Sequence, residues 1–71
     1  MILEWQQTTH YWALNSYPGN GAAKSYLLFL DGPPYRWGRL LFNMPLNYHT
    51  LHTATIDEAK VCLEVIARMN A

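Results

Sequence analysis

The sequence predicts an α+β fold in which a three-stranded antiparallel sheet carries one carboxy-terminal helix packed on one face. Segments rich in aromatic and β-branched residues alternate with turns containing Gly and Pro over most of the chain. A single segment with helical periodicity follows Thr55. The chain has 71 residues, 51% of them hydrophobic, so we expect one small domain over residues 1–71 with one core.

The three strands are predicted from composition and from the turns between them. The first lies within Leu3–Asn15 and is best formed over Thr9–Leu14, where the odd positions are the more apolar. The turn signal at residues 17–21, Tyr-Pro-Gly-Asn-Gly, precedes the second strand at Ser25–Leu30. The unbroken apolar character of this second strand predicts a central position in the sheet. The third strand is predicted at Tyr35–Asn43.

Residues that interrupt regular strand structure occur in the third strand and in the segment that follows it. Gly38 inside the strand predicts a bulge or a close approach of backbone. The segment Met44–Ala54 is predicted to be irregular because Pro45 and Asn47 interrupt it. A short extended piece around Thr50–Thr53 is the alternative that the composition leaves open.

The helix is predicted from Ile56 to about Met69. Thr55 and Glu58 have the spacing of a capping box, and acidic residues in the first turn suit the positive end of the helix dipole. Glu64 and Arg68 are spaced for an ion pair on the polar side. Helical periodicity assigns seven residues to the core-facing side: Ile56, Ala59, Cys62, Leu63, Ile66, Ala67 and Met69.

Charge and cysteine content exclude several classes of function. Lys plus Arg and Asp plus Glu each total 5, so the net charge is zero, and the usual electrostatic basis for binding nucleic acid or an anionic membrane is missing. The single cysteine excludes an intramolecular disulfide and a cysteine-rich zinc site. No apolar run is long enough to cross a bilayer and the start has no secretory pattern, so we expect a cytoplasmic protein with no membrane partner.

No group of residues predicts catalysis, a metal or a cofactor. His49 and His52 lie in a segment rich in Pro, Asn and Thr without a third ligand nearby, which favours loop packing or solvent exposure over a metal site. Cys62 lies in the middle of the helix on its apolar side, which favours a small core residue over a nucleophile. Residues 19–25 lack the glycine before lysine that a phosphate loop needs, so we interpret them as a hairpin loop. We expect no enzymatic activity.

The segment Tyr35–Arg39 is the most suggestive of a binding function. Tyr, Trp and Arg dominate the energetic centres of protein–protein interfaces, while basic residues between aromatic ones also suit phosphates and bases. On a strand, Tyr35, Trp37 and Arg39 share one face and Arg36 points to the other. The neutral net charge favours a protein partner over nucleic acid. The competing interpretation places the rings in the core and the arginines in solvent.

The aromatic content predicts an exposed surface. With 3 Trp, 5 Tyr and 2 Phe, the chain has more ring area than one helix on one sheet face can cover. Strand alternation opposes Trp12 to Tyr11 and Trp5, so we predict aromatic and apolar groups on the outer face, open to a second copy or another protein. The predicted partner-binding residues are Trp12, Tyr35, Arg36, Trp37 and Arg39.

Val61 and Val65 lie beside the charged stripe of the predicted helix, where one helix on one sheet does not fully bury them. They are either isolated exposed valines, which are common, or a second and lesser partner-binding patch.

The predicted strand–strand–strand–helix order, ending in Thr-Ile-Asp-Glu-Ala-Lys at residues 55–60, resembles the very small proteins encoded by phages and mobile elements, anti-CRISPR proteins among them. The resemblance covers Thr9–Met69 and rests on size and layout. It implies a non-enzymatic domain that inhibits a host protein or nucleoprotein complex through its surface, in the host cytoplasm and with a homodimer as one option.

The same layout is similar to the integrase amino-terminal DNA-binding domains, which insert a three-stranded sheet into the major groove. Arg36, Trp37 and Arg39 are the matching sheet residues. The chain departs from that pattern because it has no basic excess and is apolar over Leu27–Leu30. A sheet-based nucleic-acid-binding domain is therefore the alternative to protein binding.

Overall fold

Five strands in chain order, followed by one helix, form the part of the molecule that the computed structural model describes, which is residues 1–19, 21–41 and 44–70. Neighbouring strands pair antiparallel throughout, so the sheet is a meander. The elements are β1 (Ile2–Gln7), β2 (Tyr11–Tyr17), β3 (Lys24–Phe29), β4 (Tyr35–Leu41), β5 (Met44–Leu51) and α1 (Ile56–Met69).

The prediction of a three-stranded sheet is wrong, because the sheet has five strands. The segment predicted as one strand over Leu3–Asn15 is a hairpin of β1 and β2. Its turn is held by Thr8, whose backbone N–H and hydroxyl both donate to the Tyr11 carbonyl, at 2.9 and 3.0 Å. The turn contains neither Gly nor Pro, so the sequence carries no strong signal for it.

The other unpredicted strand, β5, occupies the segment expected to be irregular. It is an edge strand that pairs with β4, and Pro45 is its second residue. Proline is compatible with an edge strand because its missing N–H removes no hydrogen bond when that side of the strand is unpaired. Of the extended piece expected around Thr50–Thr53, Thr50 and Leu51 belong to β5.

A bulge or a close approach of backbone was predicted at Gly38, and the structure has an irregularity at this position whose extra residue lies on the partner strand β5. The pairing of β4 with β5 shifts register here, since Trp37 pairs with His49 while Arg39 pairs with Leu46, which leaves one extra residue on β5. The last two residues of the predicted third strand, Phe42 and Asn43, lie outside the described residues.

The helix has the predicted bounds, and side-chain hydrogen bonds cap both of its ends. At the start, the Glu58 backbone N–H donates to Thr55 Oγ1 and the Thr55 hydroxyl donates to Glu58 Oε1, both at 3.2 Å. At the end, the Asn70 side-chain amide donates to the Ile66 carbonyl at 2.8 Å, and the Lys24 ammonium donates to the Asn70 carbonyl. The contact from Lys24 joins the end of α1 to the start of β3.

The core lies between α1 and the middle of the sheet. It is built from Leu14, Tyr26 and Leu28 on the strands and Ala59, Leu63 and Ala67 on the helix. The two helical alanines present little side-chain volume, which allows close approach of α1 to the sheet. The predicted central position of the second strand is confirmed, because β3 is the third of five strands and Tyr26–Leu28 is buried. Met69, expected to face the core, is 79% exposed.

Within the described ranges, α1 is neither long enough nor apolar enough to cross a membrane.

Candidate functional site

All three tryptophans lie on the sheet face that α1 covers. Trp5, Trp12 and Trp37 are partly buried and pack against the core. The hairpin of β1 and β2 reverses the parity expected for one continuous strand: Trp5 pairs with Leu14, which places Trp5 and Trp12 on the same side of the sheet. The expected position of Trp12 on the outer face is therefore corrected to the helix side.

Trp5 and Trp12 form a polar and aromatic contact with α1. Their rings meet edge to face, with centroids 6.2 Å apart. Lys60 Nζ lies 3.8 Å from the Trp12 ring centroid and 5.0 Å from that of Trp5, which is cation–π geometry. Trp5 Nε1 donates to Glu64 Oε2 at 3.0 Å. Glu64 thus contacts β1, and the expected ion pair between Glu64 and Arg68 is absent from the ion pairs of the described residues.

The predicted binding segment of β4 divides between the two faces as its alternation predicts. Tyr35 and Trp37 pack on the helix side, where Trp37 also stacks on His49 with centroids 4.7 Å apart. Arg39 is exposed and shares that face by register. Arg36 is exposed on the opposite face. The five sheet residues predicted to bind a partner therefore do not form one patch.

The sheet face opposite α1, here called the open face, carries a cluster of three rings. Tyr11 and Phe29 meet with centroids 6.3 Å apart, and Phe29 and Tyr48 with centroids 5.5 Å apart. We call Tyr11, Phe29 and Tyr48 the aromatic ridge. Tyr48 is 56% exposed, and no other element in the described part of the chain covers this face. Exposed aromatic groups were predicted for the outer face and are present, but with rings other than those expected.

Sequence reasoning missed the ridge for two reasons. Tyr48 lies in the segment that was expected to be irregular. Tyr11 was grouped with Trp5 because both were placed on one continuous strand, whereas they lie on two strands, β1 and β2, and on opposite faces of the sheet. Alternation within β2 alone already opposes Tyr11 to Trp12, so a correct strand boundary would have placed Tyr11, one of the three rings of the ridge, on the open face.

Beside the ridge, the open face has a group of small and apolar side chains followed by a pair of polar side chains. Ala13, Leu27 and Gly38 pair across three strands, and Leu27 is only 4% exposed. In the next row, the Ser25 hydroxyl donates to Asn15 Oδ1 at 2.8 Å. The open face therefore combines protruding rings, small side chains and satisfied polar groups.

An exposed ion pair and a recess lie near Phe29, the middle ring of the ridge. Arg36 Nη2 lies 2.7 Å from Asp31 Oδ2, an exposed ion pair between β4 and the loop before it. A recess of about 340 Å³ opens nearby, lined by Thr9, His10, Phe29, Leu30 and Asp31. Because Phe29 belongs both to the ridge and to the recess, one partner surface can contact the two together.

The helix presents a second apolar surface. Val61 is 59% exposed and Val65 is 48% exposed on the side of α1 that faces away from the sheet. We call Val61 and Val65 the helix crest. A groove of about 400 Å³, lined by Thr53, Asp57, Glu58, Val61 and Cys62, runs beside it.

The described residues offer little for metal or thiol chemistry. Over residues 1–19, 21–41 and 44–70, no three His, Cys, Asp or Glu side chains are grouped to hold a metal ion. His49 stacks on Trp37, and Cys62 is a partly buried free thiol.

No family model, curated protein or solved structure matches the chain.

Proposed function

We propose that this protein is a non-enzymatic protein-binding module that binds its partner through the open face of the sheet. The aromatic ridge carries the proposal, because Tyr11, Phe29 and Tyr48 pack against one another on a face that no other described element covers. Rings that are held by their neighbours lose little side-chain entropy on binding and bury a large apolar area.

The surroundings of the ridge also suit a protein partner. Arg36 supplies an exposed guanidinium on the same face, and its ion pair with Asp31 limits its motion. The recess beside Phe29 has room for a side chain of a partner and is lined by both polar and apolar residues. Aromatic residues at the centre and polar residues at the rim are typical of protein interfaces.

The positions of the basic residues favour protein over nucleic acid. Of the 5 Lys and Arg, Lys24 binds the end of α1, Lys60 lies over the two tryptophans and Arg36 is paired with Asp31. Arg39 lies on the other face of the sheet and Arg68 on the helix. The open face therefore has no row of free cations to follow a phosphate backbone, which a sheet-based nucleic-acid-binding domain would need.

The narrower proposal concerns the partner. We expect a host protein or nucleoprotein complex that the module inhibits by covering part of its surface, in the host cytoplasm if the protein is phage-encoded. The small size of the chain and the aromatic ridge support this step. The five-stranded sheet departs from the three-stranded layout that resembles the phage-encoded inhibitors.

A capture experiment with matched tyrosine variants tests the open face. Tyr48→Ala removes an exposed ring of the ridge, whereas Tyr17→Ala removes a tyrosine that is also exposed and on the same face, but at the far end of β2. We expect a protein captured from lysate of the source or host cell to be lost with Tyr48→Ala and retained with Tyr17→Ala. Equal capture by both variants would contradict the proposal.

A salt titration tests the alternative. We expect no binding of labelled duplex or single-stranded DNA at about 50 mM salt, where phosphate contacts are strong. Binding that weakens steeply between about 50 and 200 mM salt, and that Arg36→Ala abolishes, would replace the protein-binding proposal with the nucleic-acid one.

A further inference from the structure

We infer that α1 is the interface of an antiparallel homodimer, in which the helix crest of one copy packs against that of a second. The inference is independent of the proposed function of the open face. The outermost residues of a helix packed on a sheet are normally polar, and α1 departs from this pattern. In α1, Ala59, Leu63 and Ala67 are buried against the sheet, while Val61 and Val65 lie exposed one turn apart on the opposite side.

The charges of α1 indicate that the occupant of the crest is a second copy. Asp57 is in the first turn and Arg68 in the last, so opposite charges flank the crest. A two-fold axis across the helix at the level of Leu63 places Val61 opposite Val65 of the second copy. The same operation places Asp57 opposite the second copy's Arg68, because these positions are nearly equidistant from Leu63.

The sides of the helix agree with this pairing. At roughly 100° per residue, Asp57 and Arg68 fall on the same flank of the crest. A two-fold axis perpendicular to the helix keeps each flank facing the same flank of the partner, so the two charges meet rather than pass on opposite sides. Antiparallel helices also bring the positive end of each dipole to the negative end of the other.

The opposite flank pairs a protrusion with a groove. Met69 is 79% exposed, and the same two-fold axis carries it to the level of the first turn of the second copy. There lies the groove of about 400 Å³ whose lining includes Thr53, Glu58 and Cys62. The same two-fold axis therefore covers the exposed valines, pairs the flanking charges and places the exposed methionine in a groove.

The charges that the dimer needs are not used within the molecule. Among the described residues the ion pair is Arg36 with Asp31, so Asp57 and Arg68 have no oppositely charged partner there. The other three charges along the helix are engaged, since Lys60 lies over Trp12, Glu64 accepts from Trp5 and Glu58 accepts from the Thr55 hydroxyl.

The contact is small, which sets its expected strength. A 14-residue helix is about 21 Å long and about 10 Å wide, so the footprint is well below the roughly 800 Å² per partner of stable complexes. We expect a dissociation constant on the order of 100 µM. The open faces of the two copies point away from the interface and stay available.

Sedimentation velocity with charge-swapped variants tests the inference, at about 20 µM to about 1 mM protein in low salt. We expect Asp57→Arg and Arg68→Asp each to weaken the dimer about tenfold, because each places like charges opposite one another. The double variant with both substitutions restores opposite charges, so its dissociation constant is expected within about threefold of the unmodified protein.

Two further variants separate the crest from the open face. Val61→Lys, at an exposed position, is expected to abolish the dimer, with Val65→Lys as a second test of the crest if the first does not fold. Tyr48→Ala is expected to leave the dimer unchanged. A protein that is monomeric at about 1 mM, or a dimer lost with Tyr48→Ala but indifferent to the crest and charge variants, would overturn the inference.

Discussion

Tyr26 contributes to the core through its ring rather than through its hydroxyl. The residue is fully buried, and its ring packs on Trp37 with centroids 6.0 Å apart. Its hydroxyl has no hydrogen-bond partner among the described residues. An unpaired buried hydroxyl costs about 1–3 kcal/mol relative to one that is hydrogen-bonded, so the ring alone accounts for the benefit of a residue at this position.

We therefore expect Tyr26→Phe to raise the free energy of unfolding by about 0.5–1.5 kcal/mol, because it removes the unpaired group and keeps the ring. Urea denaturation followed by tryptophan fluorescence measures this change. Tyr48→Phe, on the exposed ridge, is the control and should stay within about 0.5 kcal/mol of the unmodified protein. A loss of stability with Tyr26→Phe would show that the hydroxyl is hydrogen-bonded.

Lys60 is a second residue whose environment differs from what its charge suggests. Its ammonium lies over Trp12 and near Trp5 instead of in open solvent. We expect Lys60→Met, which keeps the length but removes the charge, to lower the free energy of unfolding by about 0.5–2 kcal/mol through loss of the cation–π contacts. Lys60→Arg keeps a cation there and should lose less. If Met and Arg gave the same stability in thermal denaturation, packing alone would explain the contact.

Among the secondary-structure elements, α1 is the one that helix capping and helical periodicity explain best. Thr55 accepts from the Glu58 backbone N–H, as the capping pattern predicts. We expect Thr55→Ala to lower the free energy of unfolding by about 1 kcal/mol, because a first-turn donor loses its acceptor, while Thr55→Ser should retain most of it. Denaturation followed by circular dichroism distinguishes them. Equal losses in the two variants would mean that the methyl group, not the hydroxyl, matters.

The loop between β3 and β4 depends on a glycine for steric reasons. A Cβ on Gly32 would lie 2.5 Å from Tyr35 Cδ1 and 2.8 Å from the Pro34 carbonyl carbon. We expect Gly32→Ala to lower the free energy of unfolding by about 1–3 kcal/mol, since the Tyr35 ring packs against the core and has limited room to move.

Gly21→Ala is the matched control for that prediction, because a Cβ there meets nothing within 4 Å. Its melting temperature should stay close to that of the unmodified protein. Similar melting temperatures for the two alanine variants would show that Tyr35 shifts at little cost.

At the scale of the whole molecule, stability comes from one core on one side of the sheet. Leu63 is fully buried at its centre, whereas Val65, two residues away, lies on the exposed crest. We expect Leu63→Ala to cost about 2–5 kcal/mol of unfolding free energy, which can unfold so small a domain, and Val65→Ala to cost less than about 0.5 kcal/mol. Denaturant unfolding at low protein concentration measures both. A large loss with Val65→Ala in the monomer would place that side chain in the core.

Features that depend on neighbouring residues along the chain could be predicted from the amino-acid sequence. The bounds of α1 follow from its capping residues and helical period, and the burial of Tyr26–Leu28 follows from local composition. Gly38 indicated where the pairing is irregular, but the extra residue belongs to β5, which was not predicted. The sequence predicted more aromatic ring area than one helix can cover, and some rings are partly exposed. It did not identify which rings these are.

The number of strands and the face on which each ring lies depend on tertiary contacts, and the amino-acid sequence did not predict them. The turn at Thr8 is made by hydrogen bonds to Tyr11, and no Gly or Pro in the sequence indicates it. Pro45 is compatible with β5 because that strand is at the edge of the sheet. A side chain's face is set by cross-strand register, so one missed turn moved Trp12 and Tyr11 to opposite sides of the sheet from those expected. Register is a property of paired strands, and a single strand's sequence does not contain it.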